Sequence, residues 1–273
     1  MKHLGSKILK GTVILASCLT FGVLLFLIAY ILIKGLPNLS PKFFSLHYTT
    51  ENVSMLPAII NTIEMTLCSL IVAVPLGICT AIYLVEYAKK GNKVVGIIRL
   101  TAETLSGIPS IVYGLFGMLF FVTYLKWGYS ILAGAATLAI MVLPLIMRTT
   151  EEALLAVSDS YREASFGVGA GKLRTVFKIV LPAAMPGILS GVILAIGRIV
   201  GETAALIYTA GTVAEVSKGL LSSGRTLAIH MYVLSSEGLY TNQAYATAVV
   251  LLIFVLIINF MSSLVAKKFA AKD

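Results

Sequence analysis

Charged residues are scarce in this chain of 273 residues, where Asp, Glu, Lys and Arg together make up 12% of the sequence. A soluble domain usually carries about 25% charged residues. Here 58% of the residues are hydrophobic, and the mean hydropathy is +0.96. The formal net charge of +9 does not indicate nucleic-acid binding, because the basic residues fall between long apolar runs. The composition predicts an all-α polytopic membrane protein.

Cysteine and histidine are also few, and neither forms a recognisable chemical site. The three cysteines, Cys18, Cys68 and Cys79, lie in apolar runs and are interpreted as small packing residues. The histidines are His3, His47 and His230, and they show no metal-ligand spacing. No H-E-x-x-H or G-x-S-x-G motif occurs, which argues against an intramembrane enzyme. We therefore expect no metal, cofactor or catalytic residue in this chain.

Long apolar runs are abundant. A helix needs roughly 20 apolar residues to cross about 30 Å of hydrocarbon. Six segments qualify, at about 13–33, 62–86, 104–125, 129–147, 182–208 and 244–265. The first run is longer than the apolar region of a signal peptide, so it is interpreted as a retained span. The sequence thus predicts six transmembrane helices.

The distribution of basic residues predicts the orientation of these helices. Fifteen of the twenty-one Lys and Arg residues fall in segments 1–12, 87–103, 148–181 and 266–273. Basic residues accumulate on the cytoplasmic side of a membrane. We therefore predict a multi-pass protein of the cell membrane with both termini in the cytoplasm, and longer external segments at 34–61 and 209–243.

The longest cytoplasmic segment, 148–181, has helical patterning of its own. Residues 160–163 fit a capping box, after which three glycines interrupt the helix and a second short helix is predicted over 172–180. The glycines do not form a phosphate-binding loop. Gly171 and Lys172 are followed by Leu173, and Phe166 occupies the position of the first required glycine. Nucleotide binding by this chain is therefore not predicted.

The same segment resembles the loop of ABC importer permeases that carries the pattern E-A-A-x3-G-x9-I-x-L-P. The matching residues are Glu163, Ala164, Ser165, Gly169, Ile179, Leu181 and Pro182. Ser165 replaces the second alanine, which exchanges one small residue for another. The resemblance implies a type I ABC importer permease fold, with six transmembrane helices and a coupling helix in this loop. It also implies that a separate ABC ATPase subunit binds ATP and receives the coupling helix.

Three further stretches narrow the resemblance to the phosphate importer permeases of the PstA type: "GIPSIVYGLFG" (107–117), "LPLIMRTTEEAL" (143–154) and "GRIVGETAALIYTAG" (197–211). The resemblance implies a permease core at 57–266, preceded by segment 1–56 and followed by a tail at 267–273. It also implies phosphate as the substrate, a second permease of the PstC type, an ATPase of the PstB type and a binding protein of the PstS type. A permease for another oxyanion and a passive anion channel remain alternatives, although a channel would not need the cytoplasmic loop.

Two charged residues interrupt the fifth apolar run. A charge inside hydrocarbon costs about 2.5–3.5 kcal/mol on insertion scales, so Arg198 and Glu202 call for an explanation. Their spacing of four predicts one helix face and an ion pair, while arginine suits phosphate because its planar fork binds phosphate oxygens. The resemblance implies a translocation role for Arg198 and for Arg148 at the end of the fourth span. The alternatives are a structural ion pair for Arg198 and Glu202, and a membrane-surface anchor for Arg148.

Small residues recur in the fifth run at a spacing of four, at Gly187 and Gly191 and at Gly197 and Gly201. Such pairs allow two helices to approach closely. They predict close packing of this span against a partner span, with loose packing inside the chain as the alternative.

Overall fold

The computed structural model describes residues 2–89 and 91–270, with side-chain surroundings for residues 6, 9–89 and 91–264. Lys90 and residues 271–273 of the predicted tail lie outside that part. The described residues form helices joined by turns and loops, with no strand among them. Ten helices follow one another: α1 (Lys2–Gly35), α2 (Leu56–Tyr87), α3 (Lys93–Ser106), α4 (Ser110–Tyr124), α5 (Ile131–Leu155), α6 (Asp159–Gly167), α7 (Lys172–Val200), α8 (Ala204–Ile207), α9 (Leu227–Glu237) and α10 (Thr241–Ala270). This confirms the all-α fold class.

Five segments are long and apolar enough to cross a membrane: Leu9–Asn38, Leu56–Tyr87, Ile131–Leu155, Lys172–Val200 and Thr241–Leu264. A sixth crossing is possible only if α3 and α4 are taken together, and these helices meet at an angle of 101°. The predicted span 104–125 therefore covers the whole of α4 but only the last residues of α3. Pro109 explains the bend, because it lacks a backbone donor and favours an extended conformation in the residue before it.

The boundaries of the fifth span also differ from the prediction. Helix α7 ends at Val200, with Gly201 as its C-cap, and a new short helix starts at Ala204. At the other end, the predicted separate helix over 172–180 is the beginning of α7, which passes through a π-helical segment at Val176–Val180. The turn at residues 201–203 thus divides the predicted span 182–208 into two helices.

The coupling loop begins at a different cap from the predicted one. Helix α6 starts at Asp159, and the Ser158 hydroxyl accepts a hydrogen bond from the backbone N–H of Ser160 at 3.4 Å. The capping-box interpretation of residues 160–163 is therefore wrong. Glu163 is the fifth residue of α6, and its side chain is exposed.

The core lies between α2, α5 and α7. Gly77 of α2 approaches α5 so closely that a Cβ atom would lie 2.8 Å from Ile146. Around this contact, large apolar side chains such as Met65, Leu138 and Ile199 are almost completely buried. Helix α1 instead packs along α10, and none of the residues in its apolar window is buried. The surface of α1 is thus suited to lipid, as expected for a first span.

Two of the small-residue positions account for the contact between α5 and α7. A Cβ atom on Gly187 would lie 2.6 Å from the Cβ of Ala153, and one on Gly191 would overlap the Thr149 side chain. Both contacts are inside this chain and both are tight. The close helix approach predicted for Gly187 and Gly191 is thus confirmed, with α5 of this chain as the other helix, whereas no atom lies within 4 Å of a Cβ placed on Gly197.

Candidate functional site

Arg198 lies in the last turn of α7 and is half-buried. It forms no ion pair with any side chain that the structure describes. The C-terminal end of a helix carries partial negative charge, which stabilises a cation in the last turn by about 0.3–1 kcal/mol. Arg198 is thus held at a favourable helix end, and its guanidinium group is left without a carboxylate partner.

Glu202 lies beyond the end of α7 and does not serve as that partner. Its carboxylate accepts a hydrogen bond from the backbone N–H of Ala205 at 3.0 Å, in the first turn of α8. The residue is 9% exposed. The predicted pairing with Arg198 on one helix face is wrong because the helix ends between the two residues, at Val200. The alternative of a structural ion pair fails for the same reason.

Arg148 lies well inside α5, which continues to Leu155, eight residues beyond the predicted end of the fourth span at about 147. Its side chain is 60% exposed, and Nε donates to the Glu152 carboxylate at 3.2 Å. Gly191 of α7 contacts Thr149, the next residue of α5, so Arg148 is level with Gly191. At 1.5 Å per residue, Arg198 lies about 10 Å further along α7. The two arginines therefore occupy different depths.

A pocket of about 330 Å³ opens beside Arg148, between α3 and α5. Across it, Arg99 of α3 forms a 2.5 Å ion pair with Glu151, whose side chain is 11% exposed. The charged side chains lining the pocket are Arg99, Arg148, Glu103, Glu151 and Glu152, two cations and three carboxylates. The pocket thus has a formal charge of −1, and each arginine already has a carboxylate partner.

Sequence analysis missed Arg99 and Glu151 as members of this site. In the sequence, Arg99 is one of several basic residues in segment 87–103, and Glu151 lies in the stretch 143–154 that resembles the phosphate permeases. The sequence feature that could have indicated Arg99 is its position, as a cation in the middle of an amphipathic segment before Pro109. Its partner was not predictable, because the pair forms only when α3 folds back at 101°.

The coupling-loop residues are distributed between an exposed face and a buried one. Glu163, Ala164, Gly169 and Pro182 are exposed, and Leu181 is half-buried. Ile179, in the π-helical segment of α7, is 37% exposed. Ser165 is buried, and its hydroxyl is hydrogen-bonded to that of Thr175 in α7 at 2.8 Å. The residue that departs from the E-A-A pattern therefore joins the coupling helix to the beginning of α7.

Gly169 ends the coupling helix in a Schellman motif. Its φ of +83° lies in the left-handed region, which glycine adopts without strain. The N–H of Gly169 donates to the Phe166 carbonyl at 2.9 Å, and that of Ala170 donates to the Ser165 carbonyl at 3.0 Å. Open space surrounds the position where a Cβ would be. The turn thus favours glycine through its backbone conformation and not through lack of space.

Large apolar side chains are exposed on either side of this turn. We call Tyr161, Phe166, Val168, Leu173 and Phe177 the coupling surface. Their exposed fractions range from 47% at Phe166 to 85% at Val168. The coupling surface adjoins Arg174 and Lys178. Contiguous exposed apolar side chains rimmed by charge mark a protein-protein contact site.

No group of three or more His, Cys, Asp or Glu side chains suited to a metal ion occurs in the part of the chain that the structure describes. His230 is buried in α9, close to the backbone of Val53. Burial and the nearby charge of Arg225 lower the pKa of His230 to about 3. His230 is thus a neutral packing residue, with Tyr48 edge-on at 6.3 Å.

Comparison with known sequences gives the family. The model of the family described as "binding-protein-dependent transport system inner membrane component" matches residues 73–272. A probable ABC transporter permease protein of Bacillus subtilis, YqgI, is 32% identical over 99% of each chain. The phosphate transport system permease protein PstA 2 of Mycobacterium bovis is 37% identical, over 76% of this chain and 70% of that protein.

Solved structures agree on the fold. A permease chain of a bacterial importer of the polysaccharide alginate superposes with a TM-score of 0.63 at 15% identity, over 92% of this chain and 95% of that chain. A chain of the methionine transporter MetNI gives 0.60 at 21% identity, over 77% of this chain and 93% of that chain. At these identities the likeness shows the type I importer fold alone. Taken with the family match, it shows that the chain belongs to the binding-protein-dependent transport system inner membrane components, the permease subunits of ABC importers.

Proposed function

We propose that this chain is the PstA-type permease of an ATP-driven importer of inorganic phosphate. The observation that carries the proposal is Arg198, a permanent cation in the last turn of a membrane span with no carboxylate partner among the described side chains. A guanidinium group binds phosphate oxygens with two parallel hydrogen bonds. Relatives at 37% and 32% identity bear the name PstA, which supports phosphate.

Arg198 and Arg148 have different roles in this proposal. Arg198 is the site nearer the outside, where a cation with no carboxylate partner among the described residues attracts the anion from the external solution. Arg148 lies about 10 Å nearer the cytoplasmic end of α7, beside a pocket whose carboxylates compete for the same arginine. The competition weakens anion binding there and favours release. Glu202 orients the turn after Arg198 through its bond to Ala205, so it positions the site without touching the anion.

The proposed assembly follows the family. A PstC-type permease completes the translocation path, a PstB-type ATPase binds ATP and docks on the coupling surface, and a PstS-type protein delivers phosphate from outside. The coupling surface supports the ATPase partner, because it is apolar, exposed and part of the predicted cytoplasmic segment 148–181. The excess of Lys and Arg in the four segments named above supports placing both termini in the cytoplasm.

Another oxyanion is the second candidate, because guanidinium groups also bind sulfate-like anions and the structural neighbours named above transport other substrates. The two candidates differ in a reconstituted complex. The chain is co-purified with its ATPase, second permease and binding protein, and ATP hydrolysis in liposomes is measured with phosphate or with sulfate. Stimulation by phosphate alone supports the proposal. Equal stimulation by sulfate contradicts phosphate specificity, and uptake without ATP would indicate a passive channel.

A further inference from the structure

Arg162, next to Glu163 of the coupling motif, is the centre of a buried hydrogen-bond network. Its Nη2 and Nε donate to the Glu86 carboxylate at 2.7 and 3.1 Å. Its side chain is 15% exposed, and that of Glu86 is 8% exposed. The same guanidinium donates to the backbone carbonyls of Leu154 at 3.0 Å and Val157 at 2.8 Å. A fifth bond, to Asp159, reaches a side chain that is 87% exposed.

These partners belong to three different helices. Arg162 is in α6, Leu154 is in the last turn of α5, and Glu86 is in the π-helical segment Tyr83–Tyr87 that ends α2. The guanidinium thus joins the coupling helix to the ends of two membrane spans. π-helical segments inside longer helices are frequent at functional sites. Beneath the network, Leu84, Leu154 and Val157 share one apolar cluster.

Stability alone does not explain this arrangement. A buried ion pair is often no more stabilising than apolar residues of the same size, because both charges lose their hydration. What distinguishes the ion pair from apolar residues is the fixed direction of its hydrogen bonds. The planar guanidinium fixes the carboxylate and two carbonyls in one geometry, which a lysine cannot reproduce. A displacement of α6 should therefore move the end of α2 as well, because the bonds between Arg162 and Glu86 join the two helices.

We propose that Arg162 and Glu86 are positioning residues that transmit movement of the coupling helix to α2. The inference rests on the proposed docking of an ATPase on the coupling surface. Helix α2 packs along α5, where Gly77 touches Ile146, two residues before Arg148. Displacement of the α2 end therefore reaches the pocket beside Arg148 without any direct contact between α6 and the anion.

The test compares variants in the reconstituted complex of permeases, ATPase and binding protein. Arg162→Gln, Glu86→Gln and Arg162→Lys are measured for ATPase co-purification, ATP hydrolysis and anion uptake on the same vesicles. Asp159→Asn is the matched control, because it removes the exposed partner of Arg162 and leaves the buried pair. We expect each pair variant to keep hydrolysing ATP while the anion moved per ATP falls about tenfold, as for a typical coupling energy. Asp159→Asn keeps the wild-type ratio.

A purely structural role predicts a different result. Uptake and hydrolysis would then fall together with the amount of assembled complex, the anion moved per ATP would stay constant, and the inference would be overturned. If Arg162→Gln does not assemble, Glu86→Asp keeps the charge but shortens the reach, and its ratio decides in the same way. If phosphate does not stimulate ATP hydrolysis by the wild-type complex, the proposal that phosphate is the substrate is contradicted instead. The anion moved per ATP is then measured with the anion that does stimulate hydrolysis.

Discussion

Arg198 and Glu202, four residues apart, lie on either side of a helix end, so the carboxylate is bonded to the backbone of Ala205 and the guanidinium is left without it. A helix that continued to residue 208 would have brought the two side chains onto one face. The break at Gly201 therefore separates a cation suited to substrate from a carboxylate suited to capping. Among the described residues, the helix end and not a counter-ion offsets the burial of Arg198.

The orientation of the chain can be tested by cysteine labelling. Lys172 and Lys218 are both exposed, at the start of α7 and in the loop before α9. In a background that lacks the three native cysteines, we expect a cysteine at position 172 to react with a membrane-impermeant maleimide only from the cytoplasmic side. A cysteine at position 218 should react only from outside. Labelling of position 172 in intact cells would contradict the proposed topology.

The contact between α5 and α7 predicts a steep dependence on side-chain size at Gly191. An added methyl group overlaps Thr149, and overpacking of this kind costs about 1–3 kcal/mol. Gly191→Ala should therefore lower the melting temperature of the purified complex. Gly197→Ala is the control in the same helix, because open space surrounds that position. Equal melting temperatures for the two variants would show that α7 packs differently.

The helical fold and most spans were predictable because apolar runs and basic segments are properties of composition. The end of α7 was not, since nothing in "GRIVGETAA" other than Gly201 signals a turn, and the apolar residues continue beyond it. Pro109 indicates the bend before α4, but the hydropathy pattern runs through this proline and predicts a single span over 104–125. The Arg99–Glu151 and Arg162–Glu86 pairs join distant segments, so they could be found only after the helices had been placed.

Gly169 should be sensitive to the backbone conformation of its replacement rather than to its size. Its φ of +83° is strongly disfavoured for a β-branched residue, whereas asparagine tolerates the left-handed region. Gly169→Val should therefore weaken co-purification of the ATPase, and Gly169→Asn should retain most of it. Gly167→Ala, in the last turn of α6 with open space around it, is the control. Equal docking by the valine and asparagine variants would contradict the assigned turn.

The charges that line the pocket beside Arg148 predict that removing a carboxylate and removing an arginine change the apparent KM in opposite directions. Glu152→Gln frees Arg148 from its partner and makes the pocket neutral, so the anion should bind more tightly and leave more slowly. An exposed pair is worth up to about 1 kcal/mol, which limits the change in apparent KM to about fivefold. Arg148→Gln should raise the apparent KM. Uptake kinetics decide this, and a Glu152→Gln variant with a higher KM would contradict a release role for the pocket.

Arg198 is the decisive residue for the proposed function. Arg198→Gln breaks no ion pair with any described side chain, so the variant should insert and assemble as the wild type does. A hydrogen bond to a charged group contributes about 1.5–3 kcal/mol, so uptake per assembled complex should fall about tenfold to a hundredfold. Arg198→Lys keeps the positive charge but loses the planar guanidinium group, so its uptake should lie between that of the wild type and that of Arg198→Gln. Glu202→Ala removes the cap of α8 and should cost about 1 kcal/mol of stability. Uptake per assembled complex should fall less than in Arg198→Gln, because Glu202 positions the turn without touching the anion.

The double variant Arg198→Gln with Glu202→Gln separates substrate contact from structural pairing. If the two side chains stabilised each other, neutralising both would restore transport, because two amides can satisfy one another. Since Glu202 is bonded to Ala205 and not to Arg198, we expect the double variant to assemble and to transport as poorly as Arg198→Gln alone. The measurement is phosphate uptake into vesicles, normalised to assembled complex. Near-normal uptake by the double variant would refute the assignment of Arg198 to the anion.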